Sequence, residues 1–124
     1  MAKQFLKIFV LTAFLVAAVQ SPTFAANTER LEIINETGRT IVALESVALR
    51  NNWNGKDLLG GRVLNNGDST IINYNPEVRY FRLRIFFNDG KSATWGKIDF
   101  NDAFRLTFYR GDDGKYRYSK NSRG

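Results

Sequence analysis

The sequence predicts an all-β fold, a small antiparallel β-sandwich of about seven or eight strands that follows a cleaved signal peptide. Short runs of β-branched and aromatic residues alternate with Gly, Asn and Asp, which is the spacing of strands and tight turns in sandwiches and barrels. No segment after residue 26 carries a sustained apolar stripe at helical spacing. The chain of 124 residues has room for one such domain.

The N-terminal segment has the three-part plan of a secretory signal peptide. Lys3 and Lys7 form a positive head, residues 8–19 are almost entirely apolar, and Thr23 and Ala25 place small side chains at positions −3 and −1 of a cleavage point. The apolar run is shorter than the roughly 20 residues that a helix needs to cross a bilayer. We therefore expect cleavage after Ala25, export to the periplasm or the medium, and no integral membrane segment in the mature chain.

The first half of the domain contains three expected strands and one possible short strand. They span residues 31–34, 40–49, 69–74 and, as the short possibility, 62–64. The imperfect alternation of the second strand indicates a bend or a bulge. Asn35–Gly38 forms a turn in which Gly38 can adopt positive φ. A longer loop over residues 50–61 contains Trp53.

The second half begins with the clearest strand, over residues 79–87. One face is expected to join the core and carries Phe81, Leu83, Ile85 and Phe87, whereas the opposite face carries Tyr80, Arg82, Arg84 and Phe86. Asp89-Gly90 predicts a type I′ hairpin turn into a strand over residues 92–99. These two strands form the best-defined hairpin that the sequence predicts.

The last predicted strand covers residues 104–109. Its inward positions are expected to be Phe104, Leu106 and Phe108. A turn over Gly111–Gly114 follows, after which residues 115–118 can return as a short edge strand. The domain organisation is therefore a signal peptide over residues 1–25, a sandwich domain over residues 26–110, and a basic hairpin or tail over residues 111–124.

The chain carries a formal charge of +6, and Lys3 and Lys7 account for two of these charges. The mature chain therefore carries +4, and much of the excess lies in the C-terminal segment. A basic tail can contact anionic polymers or lipid. A solvated, fraying terminus is the favoured alternative.

Cysteine and histidine are both absent, which limits the available chemistry. Without them there is no Ser–His–Asp triad and no Cys nucleophile, and zinc, copper, haem and iron–sulfur sites lack their usual ligands. Asp112-Asp113 and Asn66–Asp68 hold too few carboxylates for calcium. A carboxylate pair could serve a glycosidase, but no acid lies in an apolar run that would raise its pKa. We expect no catalytic activity, no metal and no cofactor.

Several elements between residues 31 and 108 occur in a set order. They are Asn35–Ile41 after an apolar strand, Asn52–Gly60, Val63-Leu64, Gly67–Ser69, an Arg-bearing strand ending in Asp89-Gly90, a strand with Trp95, and Ile98-Asp99. In these elements the chain resembles a family of small exported bacterial β-sandwich proteins of uncharacterised function. The resemblance implies the fold and export, but no activity. Members of that family often carry two cysteines near the positions of Val78 and Asn101, and the chain lacks both.

The loop around Trp53 is the first candidate binding site. Trp53, Lys56 and Asp57 lie between two predicted strands, and the ring could stack on a sugar or contact a protein partner. The alternative, which we favour, is that Trp53 folds back to cap the open end of the sandwich, because tryptophan is mostly buried in folded proteins.

The strand face with Tyr80, Arg82, Arg84 and Phe86 is the second candidate. Alternating guanidinium and aromatic groups could bind an anionic glycan, a phosphate group or nucleic acid. The favoured alternative is an outer sheet face whose arginines pair with acids on neighbouring strands. The acids available for this are Asp99, Glu32 and Glu45. Nucleic acid is not an expected partner, because the protein is predicted to be exported.

Asn35-Glu36-Thr37 matches the acceptor pattern for N-glycosylation, although a turn-forming role explains the asparagine better. Taken together, these features predict an exported, non-catalytic binding domain whose partner is an unidentified protein or a cell-envelope polymer. The alternative is a module that binds anionic carbohydrate or lipid of the cell envelope. The first should be less sensitive to salt than the second.

Overall fold

The computed structural model describes residues 28–122, so the predicted signal peptide and its cleavage point lie outside the described residues. This part of the chain forms β1 (Glu29–Glu36), β2 (Ile41–Ala48), β3 (Ser69–Tyr74), β4 (Tyr80–Phe87), β5 (Ser92–Asp99), β6 (Ala103–Arg110) and β7 (Tyr116–Ser122). A short 3-10 helix, Phe100–Asp102, joins β5 to β6. The predicted all-β fold is confirmed.

The strands form two sheets. One sheet has four strands in the order β3-β1-β6-β7, and the other has three strands in the order β2-β4-β5. Neighbouring strands are antiparallel except for β1 and β6, which run parallel. The parallel pair joins strands that lie far apart in sequence, and alternation within a strand carries no information about such a partner.

The core lies between the two sheets and follows the alternation of the strands. Leu83 and Ile85 of β4 are fully buried, as are Ile33 of β1 and Phe108 of β6. Rings from opposite sheets also meet, as in the edge-to-face contact of Tyr74 with a β4 ring and the tilted contact between Trp95 and Phe108. Burying each of these large side chains contributes roughly 1.5–3 kcal/mol, and this packing holds the cysteine-free domain together.

Asn35 joins three segments at one end of the sandwich. Its side-chain nitrogen donates to the carbonyl oxygens of Arg39 at 2.7 Å and Leu64 at 2.8 Å. Its side-chain oxygen accepts from the amide and the hydroxyl of Thr37 at 3.0 and 2.7 Å. The residue is fully buried, and Gly38 has the expected positive φ of 82°. The turn-forming role of Asn35 is thereby confirmed.

The two hairpins β4–β5 and β6–β7 end in the same kind of turn. Gly90 has a φ of 87° and donates its amide to the Phe87 carbonyl at 3.1 Å, and Gly114 has a φ of 82° and donates to the Gly111 carbonyl at 2.9 Å. No described residue other than glycine has positive φ, so the prediction of a type I′ turn at Asp89-Gly90 is wrong. The turn is a three-residue loop with glycine at its left-handed position.

The inward face of β6 differs from the prediction at its start. The pairing with β7 shifts register between Ala103 and Arg105, and Ala103 takes the buried position. Phe104 is consequently 42% exposed instead of packed in the core. A bulge of this kind rotates the side chains that precede it, so strict alternation gives the wrong face.

The C-terminal strand β7 pairs with β6 along its length, so the predicted basic segment includes a hairpin strand of the larger sheet. Tyr116 stacks on Phe87 with ring centroids 4.4 Å apart, and Tyr118 meets Trp95 edge-to-face at 5.9 Å. These rings join the end of the chain to the core between the sheets.

The outer edge of β2 is covered by the segment over residues 57–64. The Leu58 amide donates to the Leu44 carbonyl at 2.7 Å, and Leu64 exchanges two backbone hydrogen bonds of 2.9 Å with Ile41. The possible short strand over residues 62–64 therefore reduces to an isolated bridge at Leu64. The segment over residues 57–64 shields the edge of β2 from solvent, and it fixes the position of the preceding residues, which include Trp53.

Candidate functional site

Trp53 lies on the outer face of the three-stranded sheet, above the arginines of β4. The guanidinium carbon of Arg84 is 4.2 Å from the ring centroid of Trp53, and that of Arg82 is 4.9 Å from it. Trp53 of the first candidate site and the arginines of the second therefore form one surface. We call the surface formed by Trp53, Arg82, Arg84 and Phe86 the Trp53 face.

Arg84 is the centre of the Trp53 face. It donates a 2.6 Å hydrogen bond to the carboxylate of Glu45 on β2, and its guanidinium also lies 5.1 Å from the centroid of Phe86. The Glu45 side chain is only 10% exposed, compared with 27% for Arg84. The expected pairing of a face arginine with a neighbouring acid is confirmed here, and it offsets the charge of Arg84.

Arg82 has no carboxylate partner among the described residues. Its terminal nitrogen donates to the backbone carbonyl of Asn51, which ties the Trp53 loop to the sheet. The Nε atoms of Arg82 and Arg84 are buried and lack a hydrogen-bond partner within residues 28–122. The positive charge of Arg82 therefore remains uncompensated on this face.

Val47 is a buried residue of β2 beside the Trp53 face. Val47 pairs with Arg82 in the β2–β4 register and so shares its side of the sheet, yet it is only 5% exposed. This burial, together with the position of the Trp53 ring over Arg82 and Arg84, indicates that the loop lies over the sheet rather than extending into solvent. Trp53 itself is half-buried, so part of its ring still meets solvent.

Tyr80 lies at the end of β4, next to this face, and is 36% exposed. The Lys97 ammonium is 4.5 Å from its ring centroid, and the Arg79 guanidinium is 5.5 Å from it. Arg79 also pairs with Asp99 at 2.7 Å, and its hydrogen bond to that carboxylate lowers the pKa of Asp99 despite the opposing effect of burial. None of the ion pairs within residues 28–122 includes Lys97.

Asp57 serves the structure of the loop rather than an open site. Its carboxylate accepts from the amides of Leu44 at 3.0 Å, Leu59 at 2.9 Å and Gly61 at 3.2 Å. Burial alone would raise the pKa of Asp57, but these three amides outweigh it and lower the pKa from its ordinary value. Lys56, the neighbouring candidate, is exposed and lines a separate groove of about 460 Å³ beside β3.

The predicted residues therefore fall into two groups. Trp53, Arg82, Arg84 and Phe86 come together with Tyr80 alongside, whereas Lys56 and Asp57 lie off this surface. Sequence reasoning did not assign Val47 to the face. The irregular alternation of β2 concealed it, since the register shifts between Ile41 and Ala43.

The outer face of the four-stranded sheet carries a similar group without a cover. Arg105 pairs with Glu32 at 2.6 Å, and its guanidinium lies 5.4 Å from the ring centroid of Phe104. The Glu32 side chain is 26% exposed. The group formed by Glu32, Phe104 and Arg105 serves as a reference for the Trp53 face. Like Glu45, Phe86 and Arg84, it combines a carboxylate, a phenyl ring and a guanidinium group.

Within residues 28–122, no three acidic, histidine or cysteine side chains cluster so that they could hold a metal ion. No helix of the described chain has the length and apolar character needed to span a membrane. No protein-family model, curated protein or solved structure matches the chain. The geometry of the Trp53 face is therefore the main basis for proposing a function.

Proposed function

We propose that this protein is an exported, non-catalytic binding domain that recognises its partner through the Trp53 face. The observation that carries the proposal is the stacking of Trp53 on both Arg82 and Arg84, which turns two candidate regions into one surface. Tryptophan, tyrosine and arginine are the residues that most often dominate binding energy at protein interfaces. The partner on this proposal is a protein or a polymer of the cell envelope.

The fixed arrangement of the loop supports a recognition role. Asp57 and the Asn51 carbonyl hold the two ends of the Trp53 segment against the sheet. A side chain that is already held in place loses little conformational freedom when a partner binds, so more of the contact energy appears as affinity. The Trp53 ring would therefore act as a preorganised contact.

The alternative function is the binding of anionic carbohydrate or lipid, and a specific observation favours it. Within the described chain, Arg82, Lys97 and Arg50 have no acidic partner, and they lie on or near the same side of the sheet. Such a cluster attracts anions. Binding that depends on these charges should weaken strongly between 0.1 and 1 M salt, since the screening length falls from about 10 Å to about 3 Å.

Export is part of the proposal and has its own test. N-terminal sequencing of the protein recovered from the periplasm or the medium should begin at Ala26. Recovery of uncleaved chain in the cytoplasm would contradict the proposed localisation.

The binding proposal is tested by capture of native envelope material on the immobilised protein. The two test variants are Trp53→Ala and Arg82→Glu, of which the second leaves the Arg84–Glu45 pair in place. Their matched controls are Phe104→Ala and Arg110→Glu. Arg110 resembles Arg82 because it donates to a backbone carbonyl, that of Gly114, and lies near an aromatic ring.

We expect capture by the wild-type protein to fall at least tenfold in both test variants and to persist in both controls. Each variant is first checked for cooperative unfolding, so that a lost fold is not mistaken for a lost contact. Equal capture by all five proteins, or equal loss in tests and controls, would overturn the proposal. The salt dependence of capture then distinguishes the protein partner from the anionic polymer or lipid.

A further inference from the structure

We propose that the end of the sandwich beside Tyr80 contains a binding groove for an anionic amphiphile, a single alkyl chain that ends in a carboxylate or phosphate. The groove has a volume of about 470 Å³ and lies between the segments 48–51 and 77–80. This volume falls within the range of roughly 300–1,000 Å³ that is usual for small-ligand pockets. The inference rests on the proposed binding role but uses other residues than Trp53.

The floor and walls of the groove are apolar. Ala48, Leu49, Val78 and Tyr80 line it, and the Leu49 and Tyr80 side chains are each 36% exposed. Val78 packs against the core from below. Apolar side chains left open to water side by side in a concavity gain free energy when an apolar group covers them.

The walls of the groove are held in place by the backbone. The Leu49 amide donates to the Tyr80 carbonyl at 3.1 Å, which continues the β2–β4 pairing past the end of β2. The Asn51 amide donates to the Ala48 carbonyl at 2.9 Å, and the Val78 amide donates to the Asn75 carbonyl at 3.0 Å. Both segments are therefore shaped before a ligand arrives.

The rim of the groove determines the charge of the ligand. Arg50 lines it, the Lys97 ammonium lies over the Tyr80 ring, and Arg82 donates to the carbonyl of the lining residue Asn51. None of these three cations has an acidic partner within residues 28–122, whereas Glu77 is the one acid that lines the groove. The charges of the lining residues Arg50 and Glu77 offset each other, so the excess positive charge comes from Lys97 and Arg82 beside the groove. An apolar slot flanked by these cations is complementary to an alkyl chain with an anionic head group.

The other grooves lack this combination. The groove beside Lys56 has a similar volume and also includes two cations, Lys56 and Arg62, but its lining is divided about equally between polar and apolar atoms, whereas that of the Tyr80 groove is mostly apolar. The groove at Glu29 and Asn101 is smaller, at about 230 Å³, and has an acid rather than unpaired cations in its wall. The Tyr80 groove is therefore the one whose shape and charge both specify a ligand class.

The test is a titration of the isotope-labelled protein with dodecyl phosphate below its critical micelle concentration, followed by backbone amide chemical shifts. We expect saturable shifts confined to residues 48–51 and 77–80 and to β5 near Lys97. Leu49→Asn should raise the Kd at least tenfold, whereas Val63→Asn should leave it unchanged, since Val63 is exposed but lies outside the groove. Lys97→Gln should raise the Kd two- to fivefold, and Lys91→Gln should not.

Two further probes separate the head group from the chain. Dodecyl maltoside should bind at least tenfold more weakly than dodecyl phosphate, and inorganic phosphate alone should cause no saturable shift. Equal affinity for the neutral amphiphile, shifts spread over the Glu32–Phe104–Arg105 group, or unchanged binding in Leu49→Asn would each overturn the inference. So would binding only to vesicles of phosphatidylglycerol without any binding of monomeric dodecyl phosphate.

The result is separable from the proposed function. Loss of envelope capture in Trp53→Ala with normal dodecyl phosphate binding would assign the two surfaces to different ligands and support both proposals. Normal capture with no amphiphile binding would overturn the groove alone.

Discussion

The two outer faces of the sandwich carry the same chemistry in different surroundings. Each has an arginine paired with a glutamate at 2.6 Å and stacked against a phenylalanine, at 5.1 Å for Arg84 and 5.4 Å for Arg105. One face is covered by the loop with Trp53, and the other is open. An arginine–aromatic pattern alone therefore does not mark a binding surface, because the same pattern also occurs on an ordinary exposed sheet face.

The Trp53 loop changes how much the Arg84–Glu45 ion pair contributes to stability. The Glu45 side chain is 10% exposed and the Glu32 side chain 26%, so solvent screens the second pair more effectively. A less screened pair is also more costly to break, because the remaining partner is left without compensation in a partly dry site. Of four predictions, three use the open face as the reference for the covered face, and one concerns the contact that anchors the Trp53 loop.

The largest effect on stability is expected when the Trp53 ring is removed. Trp53→Ala should lower the free energy of unfolding by about 2–3 kcal/mol, because it removes the half-buried ring that packs on Arg82 and Arg84. Phe104→Ala should lower it by less than about 1 kcal/mol, since that ring is already exposed to 42%. Urea unfolding of both variants measures the difference, and equal losses would show that the loop does not cover the sheet.

The second prediction concerns Asp57, whose carboxylate anchors the end of the Trp53 loop to β2. Asp57→Asn should lower stability by about 1–2 kcal/mol at neutral pH, since the amide group cannot accept from all three backbone donors. The folded-state pKa of Asp57 is lowered, so its contribution is present above the unfolded pKa near 3.8 and is lost as the pH falls below that value.

Unfolding of wild-type and Asp57→Asn proteins between pH 7 and pH 2.5 tests this sign. The difference between them should be constant near neutrality and shrink in acid. A difference that grows as the pH falls would contradict the role given to the carboxylate.

The third prediction compares the two ion pairs directly. Glu45→Gln should lower the free energy of unfolding by about 1–2 kcal/mol, whereas Glu32→Gln should lower it by about 0–1 kcal/mol. The larger value follows from the lower exposure of Glu45 and of Arg84. Thermal unfolding at low and at 1 M salt gives a second comparison, in which the exposed pair should lose more of its small contribution to screening.

The smallest effect is expected for the interaction free energy between the Trp53 ring and the Arg82 guanidinium. A double-mutant cycle of Trp53→Leu with Arg82→Gln should give a coupling of about 0.5–1 kcal/mol, which is typical of a cation–π contact at a partly exposed site. The cycle of Phe104→Leu with Lys115→Gln serves as the reference for groups between which the structure shows no contact. A coupling near zero in the first cycle would mean that Trp53 covers the sheet without an attractive contact to Arg82.

The sequence predicted the local structure of the domain better than its long-range pairing. Phe81 and Leu83 alternate with charged residues and are buried as expected, because a strand with one solvent face has to alternate. The parallel contact of β1 with β6 could not be predicted, since nothing in either strand specifies a partner so distant in sequence. Phe104 was assigned to the wrong face because the bulge after Ala103 leaves no compositional signal.

The candidate site was predicted in parts and not as a whole. Residue types alone identified Trp53 as one candidate and Arg82 and Arg84 as another, but their contact depends on where the β2–β3 connection crosses the sheet. Asp57 was assigned to binding because an exposed acid in a loop and a carboxylate that anchors backbone amides look alike in sequence. The three amides that distinguish them come from β2 and from the segment over residues 57–64.

The burial of Asn35 has a consequence for how the protein can be produced. Asn35-Glu36-Thr37 fits the acceptor pattern for oligosaccharyl transfer, but both hydrogens of the side-chain amide are engaged in the folded domain. In a eukaryotic secretory host, a glycan could reach this nitrogen only before the N-terminal strand is seated, and the modified chain could no longer close around it. Glycosylated molecules would then be those that folded slowly. The glycosylated fraction would therefore measure how fast this end of the sandwich assembles relative to glycan transfer.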